Sequence, residues 1–399
     1  MDIKPIVSTL RRHKLAAGLL VLEIAVACAI LCNAVFMIHH RLAQMQVDTG
    51  IDEKALVWLA TDGTYGDSAT PVVQRNLAAL RGIGGVNSDA VVVSLPLANQ
   101  DMNFNPTLDA ANTINGPNMQ LMMGTPGYLH TLGLKLVAGH DFGPDDYAGI
   151  DAWLPQSSST IVTRAVAMRL WPNQPALGKA FWIGKRRFQV IGVVDHMVRG
   201  ELRGDASEYV ALFAARPSAS LSSLYVLHVD PATRNRVVRE ATALLLKLNQ
   251  QMLITDKGSY SDIRSRYFAA DTAMAWLLTT VCVALLVITA LGIGGLASFW
   301  VSQRRRHIGI RRAVGATRRD ILRYFQTENF LIVTFGIVLG TLLAFAINLL
   351  LMKQYELPRL PLYYLPVSAF TLWLLGQLAV LGPALRAAAV PPVVATRSV

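Results

Sequence analysis

The chain carries the uncharged sequence AMAWLLTTVCVALLVITALGIGGLASFWV from Ala273 to Val301. A helix needs about 20 apolar residues to cross the hydrocarbon core of a bilayer. Three further stretches are comparably long and apolar, with one acid (Glu23) in the first of them: Leu15–Ile38, Asn329–Met352 and Tyr363–Leu385. Four such runs are rare in a water-soluble core, so the sequence predicts an α-helical membrane protein with four transmembrane helices.

The composition of the whole chain agrees with this class. Of 399 residues, 53% are hydrophobic and only 16% are charged, with a mean hydropathy of +0.38. Soluble globular chains usually carry about a quarter of charged residues. The composition therefore excludes a disordered chain and argues against an ordinary soluble enzyme.

The net charge of +11 lies entirely outside a long middle segment. Between Leu42 and Asp271 there are 20 Lys/Arg and 21 Asp/Glu, whereas the remainder has 17 basic and only 5 acidic residues. Basic residues near the ends of membrane helices stay in the cytoplasm. We therefore expect both termini and the loop between the second and third helices to be cytoplasmic, and the middle segment to be translocated. A nucleic-acid binder would instead carry its basic stripe on a folded domain.

These assignments divide the chain into consecutive parts. They are a cytoplasmic N-terminus (1–14), helix one (15–38), a periplasmic domain (42–265), a stalk with helix two (259–301), a cytoplasmic coupling loop (302–327), helix three (328–352), a short periplasmic loop (353–362), helix four (363–385) and a cytoplasmic tail (386–399). Helix one is predicted to be retained, because its apolar run exceeds the 7–15 residues usual in a signal peptide.

The middle segment reads as a large α+β domain built from two β-α-β halves and an insert. The first half has strands at 55–60 and 90–95 around a helix at 72–80. The second has a strand at 224–229, an amphipathic helix from Val237 to Leu248, and a closing strand at 252–254. The two halves flank an insert (99–223), which has strands at 159–163 and 188–194. From Ser261 a stalk helix is predicted to continue into the second transmembrane helix.

No motif for catalysis or metal binding is present. The chain has no G-x-x-x-x-G-K-[ST], G-x-S-x-G or H-E-x-x-H sequence, and no nucleophile motif accompanies Asp195-His196. The cluster His140, Asp141, Asp145 and Asp146 lacks the alternating acids of a calcium loop and is interpreted as a solvated turn. Cys28 and Cys32, one helical turn apart, are expected to pack helices rather than bind a metal. We expect no catalytic residue, no metal and no directly bound cofactor.

Residues 302–328 have the sequence SQRRRHIGIRRAVGATRRDILRYFQTE, with apolar residues at near-helical spacing opposite an arginine face. We expect the second helix to extend to about Ala313, the chain to turn at Gly315, and a new helix to start at Arg318. Thr317 with Asp320 fits a capping box. Two interpretations are open, anchoring to anionic lipid or docking of a cytoplasmic partner, and the specific order of residues favours docking.

Small residues at four-residue spacing indicate close helix packing in two spans. They are Gly294 and Ser298 in the second span and Gly336 and Gly340 in the third.

The stretch from His307 to Leu322, HIGIRRAVGATRRDIL, resembles the signature of the MacB/FtsX-like ABC-transporter permease family. Further segments also resemble this family and occur in the same order along the chain. They are 124–128, 132–133, 139–142, 177–179, 190–194, 383–388 and 391–392. The resemblance covers a MacB-type periplasmic core domain and an FtsX-like C-terminal membrane domain. It implies that the two β-α-β halves form one porter-like lobe (42–98 and 224–258) with an inserted second lobe (99–223). Unlike MacB itself, this sequence shows no ATPase domain, so we expect a stand-alone permease.

The resemblance implies a permease subunit of an efflux or extrusion complex in the inner membrane of a Gram-negative bacterium. Two permease chains, identical or related, would pair above a dimeric ABC ATPase that hydrolyses ATP. ATPase-driven motion would pass through the second helix and stalk to the periplasmic domain, which would push substrate toward a periplasmic adaptor and an outer-membrane duct. The implied ATPase-coupling residues are Arg304, Arg305, Arg306, Ile308, Ile310, Arg311, Arg312, Val314, Gly315, Ala316, Thr317, Arg318, Arg319, Ile321 and Tyr324.

Two alternatives within the same resemblance stay open. One is a LolC-like subunit that releases lipoproteins, and the other is an FtsX-like signal transmitter that activates a cell-wall hydrolase. The large two-lobed external domain favours an adaptor-linked pump over the smaller FtsX type.

Overall fold

The computed structural model describes residues 14–62, 69–99, 102–151, 153–202, 204–218, 221, 223–250, 252–355 and 360–389. Most of the predicted cytoplasmic N-terminus (1–13), part of the 353–362 loop (356–359) and the end of the tail (390–399) lie outside the described residues. The chain forms two compact units, an α/β domain over Val47–Ala269 and a membrane-helix unit from the residues on either side of it.

Helices and strands are numbered in chain order. The helices are α1 (Lys14–Met45), α2 (Ala69–Arg81), α3 (Tyr128–Leu132), α4 (Arg164–Leu170), α5 (Arg234–Leu248), α6 (Tyr260–Tyr267), α7 (Ala269–Gln303), α8 (Arg305–Ala313), α9 (Arg318–Tyr355) and α10 (Tyr364–Ala388). The strands are β1 (Leu56–Asp62), β2 (Val86–Val92), β3 (Asn103–Phe104), β4 (Met119–Gly124), β5 (Leu136–Gly139), β6 (Ile150–Asp151), β7 (Leu154–Pro155), β8 (Ser159–Thr163), β9 (Ala180–Ile183), β10 (Arg186–Val194), β11 (Val210–Ala214), β12 (Leu224–Val229) and β13 (Leu253–Ser259).

Four helices of the membrane-helix unit are long and apolar enough to cross a bilayer, as predicted: α1, α7, α9 and α10. The 35 residues of α7 correspond to a length of about 52 Å at 1.5 Å per residue. This exceeds the hydrocarbon thickness of about 30 Å, so α7 extends well beyond the length needed to cross.

Small residues allow α1 to pack closely against α9. A Cβ added at Gly336 would lie 2.6 Å from the side chain of Ile24, and one at Gly340 would lie 2.6 Å from the carbonyl oxygen of Ala25. Gly336 and Gly340, the small residues predicted to pack in the third span, therefore pack against α1 of the same chain. In α7, an added Cβ at Gly294 would lie 3.5 Å from the carbonyl oxygen of Ala379 in α10, whereas Ser298 is exposed.

Polar side chains inside the membrane-helix unit bridge its helices. The Asn33 side-chain amide donates to the Ala344 carbonyl oxygen at 3.2 Å, and Asn329 donates to the Gly376 carbonyl oxygen at 2.8 Å. Such bonds supply part of the adhesion between helices in lipid, where burial of apolar surface contributes little. The Glu23 carboxyl group of α1 lies against Gly292 of α7, where an added Cβ would be 2.7 Å from Oε2.

The α/β domain contains both predicted β-α-β units, and they interlock. The order β13-β1-β12-β2 places β12 between the two strands of the first unit and β1 between the two strands of the second, with all neighbours antiparallel. Such split β-α-β units bury one face of the sheet under their helices. Buried apolar residues of α2 and α5 accordingly belong to the same core as those of β1 and β12.

Strands of the inserted lobe extend the same sheet in the order β4-β11-β8-β10-β5. The two parts of the sheet meet between β2 and β4 at one residue pair, Val92 with Gly124. Next to this pair, the Val91 amide donates to the Thr125 hydroxyl at 2.9 Å, and the Thr125 amide donates to the Val91 carbonyl oxygen at 2.9 Å. A buried threonine side chain thus takes over a hydrogen bond that a longer ladder would have made.

The prediction of one continuous stalk helix is wrong. Helix α6 ends at Tyr267 and α7 begins at Ala269, with Phe268 between them at φ −91° and ψ 11°. Phe268 is buried, its ring stands edge-on to Tyr267, and the Arg264 guanidinium lies 5.7 Å from its centroid. These contacts hold the aromatic side chain in the α/β domain at the interruption.

Replacement of Thr125 by valine tests the join between the two parts of the sheet. We expect Thr125→Val to lower the free energy of unfolding of the α/β domain by about 1–3 kcal/mol, because the buried Val91 amide loses its acceptor. Pulse proteolysis of the purified full chain across a urea series measures this change. Thr125→Ser keeps the acceptor and is the control, so equal destabilisation by both variants would contradict the assigned role.

Replacement of Gly340 by alanine tests the α1–α9 contact. We expect Gly340→Ala to destabilise the helix packing by about 1–3 kcal/mol, because the new methyl group would overlap backbone atoms of α1. The loss is read as a lower temperature of aggregation for the full chain in detergent. Gly382→Ala in α10 is the control, since an added Cβ there has no neighbour within 4 Å among the described residues, and a similar loss in both would argue against this packing.

Candidate functional site

The candidate site is the arginine segment, defined as residues 302–327 between the apolar parts of α7 and α9. The expectation of one helix up to Ala313 is wrong, because α7 ends at Gln303 and α8 begins at Arg305. Arg304 between them has φ −100° and ψ 8°. The Arg304 amide still donates to the Trp300 carbonyl oxygen at 3.1 Å, so the chain bends here without leaving its hydrogen-bond ladder.

At this interruption the half-buried Arg304 forms an ion pair with a buried carboxylate. Arg304 Nη1 lies 3.0 Å and 3.1 Å from the two carboxylate oxygens of Glu328 in α9, and the side chains are 16% and 2% exposed. The guanidinium also lies 5.8 Å from the ring centroid of Trp300. Since removal of one partner of a buried pair typically costs about 3–5 kcal/mol, this contact is a strong restraint on how α7 and α9 meet.

An apolar cluster packs the arginine segment against the ends of the membrane helices. Its buried members come from the end of α7, from α8, from the first turns of α9 and from the end of α10: Val301, Ile308, Ile321, Phe325, Ala384, Ala387 and Ala388. The segment is therefore packed against three membrane helices.

The turn after α8 is a Schellman motif, which confirms the predicted turn at Gly315. The Ala316 amide donates to the Arg311 carbonyl oxygen at 3.0 Å, and the Gly315 amide donates to the Arg312 carbonyl oxygen at 3.2 Å. Gly315 has φ +108°, a conformation that side-chain-bearing residues rarely adopt.

The predicted capping box at the start of α9 is also confirmed. The Asp320 amide donates to the Thr317 hydroxyl at 3.2 Å, and the Thr317 amide donates to the Asp320 carboxylate at 3.0 Å. Arg318 and Arg319 occupy the first turn and are exposed. Their charges oppose the helix dipole by a few tenths of a kcal/mol each, so local helix stability does not account for them.

Solvent exposure divides the predicted coupling residues into two sets. The exposed set is Arg305, Arg306, Ile310, Arg311, Val314, Gly315, Thr317, Arg318 and Arg319. The set packed into the protein comprises the buried Ile308 and Ile321 and the half-buried Arg304, Arg312, Ala316 and Tyr324.

The exposed set contains two apolar side chains among arginines. Val314 is 83% exposed and Ile310 is 48% exposed. The Arg311 guanidinium lies 5.1 Å from the ring centroid of Tyr324, which fixes it on the same part of the segment. The result is a small apolar surface with a basic rim.

Sequence reasoning missed Glu328 and Trp300 as parts of this site. Glu328 stands at the start of the third apolar run, and an acid at that position was a usable signal that a cation must lie near. The separation of 24 residues from Arg304 follows no helical or strand spacing, so the partner could not be identified from sequence.

The other polar clusters are occupied by contacts within the α/β domain. Asp195 pairs with Arg164 at 2.9 Å, and His196 Nδ1 lies 3.3 Å from a Glu208 carboxylate oxygen. Asp146 accepts hydrogen bonds from the Gly143 amide at 2.8 Å and from the Ser159 hydroxyl. Among the described residues no group of three His, Cys, Asp or Glu side chains is arranged to hold a metal ion.

Two family profiles match this chain. The FtsX-like permease C-terminal family matches residues 279–392, and the MacB-like periplasmic core domain matches residues 20–244. Together they cover most of α1, most of the α/β domain and most of the remaining membrane-helix unit.

Curated relatives are permeases of ABC transporters. The chain is 26% identical over 275 residues to the uncharacterized ABC transporter permease YknZ of Bacillus subtilis, covering 67% of this chain and 64% of that one. It is 30% identical over 232 residues to the macrolide export ATP-binding/permease protein MacB of Bradyrhizobium diazoefficiens, covering 55% of this chain and 34% of that one. The matched region thus spans about a third to two thirds of these relatives.

Among solved structures, the periplasmic region of MacB from Actinobacillus actinomycetemcomitans is similar at a TM-score of 0.36 and 14% identity, covering 56% of this chain and 97% of that one. The two profile matches account for more than half of the sequence and follow the order of its units. The chain therefore belongs to the family of ABC-transporter permeases that join a MacB-like periplasmic core domain to an FtsX-like C-terminal membrane domain.

Proposed function

We propose that this chain is the permease subunit of a MacB-like ABC efflux complex and that it works by mechanotransmission. A separate ABC ATPase dimer would hydrolyse ATP, and this chain would carry the resulting motion without catalysing a reaction. The printed names of the relatives support the transport class. From these relatives the proposal adopts ATP-driven export, and it assigns no particular exported compound to this chain.

The observation that carries the proposal is the exposed apolar surface of Ile310 and Val314 inside the arginine segment. Burial of a Val or Ile side chain at an interface removes it from water, a transfer worth about 1.5–3 kcal/mol. Basic charge with apolar side chains also suits a membrane interface, but here a Schellman motif and a capping box hold the surface on a turn of defined geometry. These features favour a folded protein partner.

The contacts around Arg304 and Glu328 are suited to transmitting motion from a docked partner. A force applied to α8 reaches α7 and α9 through the ion pair and the apolar cluster beneath it. Helix α7 is also the chain segment that leads directly to the α/β domain. Because an α-helix transmits displacement along its axis with little compression, α7 is the candidate path for motion.

The proposed location is the bacterial inner membrane, with the arginine segment and both termini in the cytoplasm. Lys14 at the start of α1 and Arg386 near the end of α10 are basic residues at the helix ends that would face the cytoplasm. They support the same orientation as the arginines of the arginine segment. Lys4, Arg11, Arg12 and Arg397 lie outside the described residues.

Pairing with a second permease chain, identical or related, is part of the proposal. Helix α7 exposes large apolar side chains along much of its length, including Trp276, Leu277, Leu291 and Phe299. Lipid or a second chain would cover this surface. The extensive inserted lobe supports a periplasmic adaptor, leading to an outer-membrane duct, as a further partner.

Cysteine labelling tests the sidedness. We expect Asp145→Cys, exposed in the α/β domain, to react with a membrane-impermeant maleimide in intact spheroplasts. Arg319→Cys should react only after permeabilisation. The native Cys28, Cys32 and Cys282 are buried, so they give little background. The reverse pattern would contradict the topology and the proposed function with it.

Co-purification tests the docking surface. Each ABC ATPase subunit of the source genome that lacks its own membrane domain is co-expressed with the tagged full chain. We expect one of them to be retained in detergent, and Val314→Asp to lower its retention at least about tenfold, because the interface would lose an apolar contact and would have to desolvate a carboxylate.

Met168→Asp is the matched control, since Met168 is an exposed apolar residue of α4 in the α/β domain. It should leave ATPase retention unchanged. Membrane levels of all variants are measured alongside. Unaltered retention with Val314→Asp, or retention of no ATPase by the parent chain, would overturn the docking role.

A further inference from the structure

A cavity of about 540 Å³ opens in the α/β domain, away from the arginine segment. Its wall is formed by one face of α2, the turn 125–127, the loop 141–147 and the pair Arg216–Pro217. It therefore lies where the first β-α-β unit meets the inserted lobe. The volume is in the range of sites that hold small organic ligands.

One wall of the cavity is aromatic and held in place. Phe142 stacks on Tyr128 with ring centroids 6.2 Å apart and an interplanar angle of 21°, and Tyr147 stands edge-on to Phe142 at 6.2 Å. All three residues are buried to at least nine-tenths. An apolar or planar group would find a rigid surface here at little cost in side-chain entropy.

Two arginines line the same cavity. Arg216 donates through Nε to the Tyr147 carbonyl oxygen at 2.7 Å, and among the described residues it forms no ion pair. Arg81 pairs through Nε with Asp89 at 2.6 Å, while its side chain stays 61% exposed. A guanidinium has five N–H donors, so each arginine, anchored through one of them, retains donors for a ligand.

The acids near the cavity compensate Arg81 but form no ion pair with Arg216 among the described residues. Asp141 lines the cavity, and one of its oxygens accepts the Phe142 amide at 2.7 Å. Asp146 in the same loop is hydrogen-bonded to Gly143 and Ser159. Arg216 is therefore the main cation available to an anionic ligand, and the exposed end of Arg81 adds hydrogen-bond donors.

Tyr147 lines the cavity, and Tyr128 packs against its lining residue Phe142. Burial and the nearby charge of Asp141 raise the pKa of Tyr147 to about 12, and burial raises the pKa of Tyr128 well above its ordinary value. Both hydroxyls are therefore protonated at neutral pH. Within the described part of the chain, the buried Tyr128 hydroxyl has no hydrogen-bond partner, which is unusual for a buried polar atom.

We propose that this cavity binds a small amphipathic carboxylate, with its anionic group on Arg216 and Arg81 and its apolar body against Phe142 and Tyr147. The planar fork of a guanidinium pairs bidentately with a carboxylate. The inference stands apart from the proposed function, because binding by the full chain alone is required and no ATPase takes part.

A matched pair of probes tests the site. N-acetyl-L-tryptophan and N-acetyl-L-tryptophanamide have the same aromatic body, and only the first carries a carboxylate. Each is titrated into the purified full chain in maltoside detergent and followed by saturation-transfer difference NMR. We expect the acid to bind at least about fivefold more tightly than the amide, as charge-assisted hydrogen bonds predict.

Arg216→Gln should lower the affinity for the acid at least about fivefold and leave the amide within about twofold. Arg239→Gln, on an exposed residue of α5 that does not line the cavity, is the control and should change neither. Circular dichroism confirms that both variants are folded. Equal affinity for acid and amide, no binding of either, or unchanged acid binding by Arg216→Gln would overturn the proposal.

Discussion

A charged side chain that is buried where a membrane helix ends must be paired, and the contact between Arg304 and Glu328 meets this requirement. It joins α7 to α9 across 24 residues of sequence. This ion pair and the apolar cluster packed against the arginine segment together position the residues between the two helices. Val314 and Ile310 then stand outward because the inward positions of α8 and α9 are already filled by Ile308 and Ile321.

Hydrogen bonds also fix the conformation of the turn between α8 and α9. A Schellman motif ends one helix at Gly315, and a capping box begins the next at Thr317, so few residues are left without a fixed conformation. Each such cap contributes on the order of 1 kcal/mol. A surface presented on so short and so defined a turn is suited to repeated docking, and the unfavourable placement of Arg318 and Arg319 against the helix dipole fits selection for a partner.

The α/β domain has its own critical junction. The Val92–Gly124 pair, the Thr125 side chain and two neighbouring backbone hydrogen bonds connect the interlocked β-α-β units to the strands of the insert. The aromatic-walled cavity opens at the same junction, with the turn 125–127 in its wall. A ligand there would touch residues from both parts of the sheet, so binding and the stability of the join are expected to be linked.

The sequence by itself determined the features that depend on local spacing. Four apolar runs set the membrane helices, short apolar runs and a helical pattern set the β-α-β units, and short-range residue chemistry set the Gly315 turn and the Thr317 cap. Tertiary structure alone decided the interlocking of the units, the interruptions at Phe268 and Arg304, the pairing with Glu328 and the cavity. The interlocking, the Glu328 pair and the cavity arise from contacts between residues far apart in the chain, and such contacts leave no periodic trace in a single sequence. Each interruption is a change in the backbone angles of one residue.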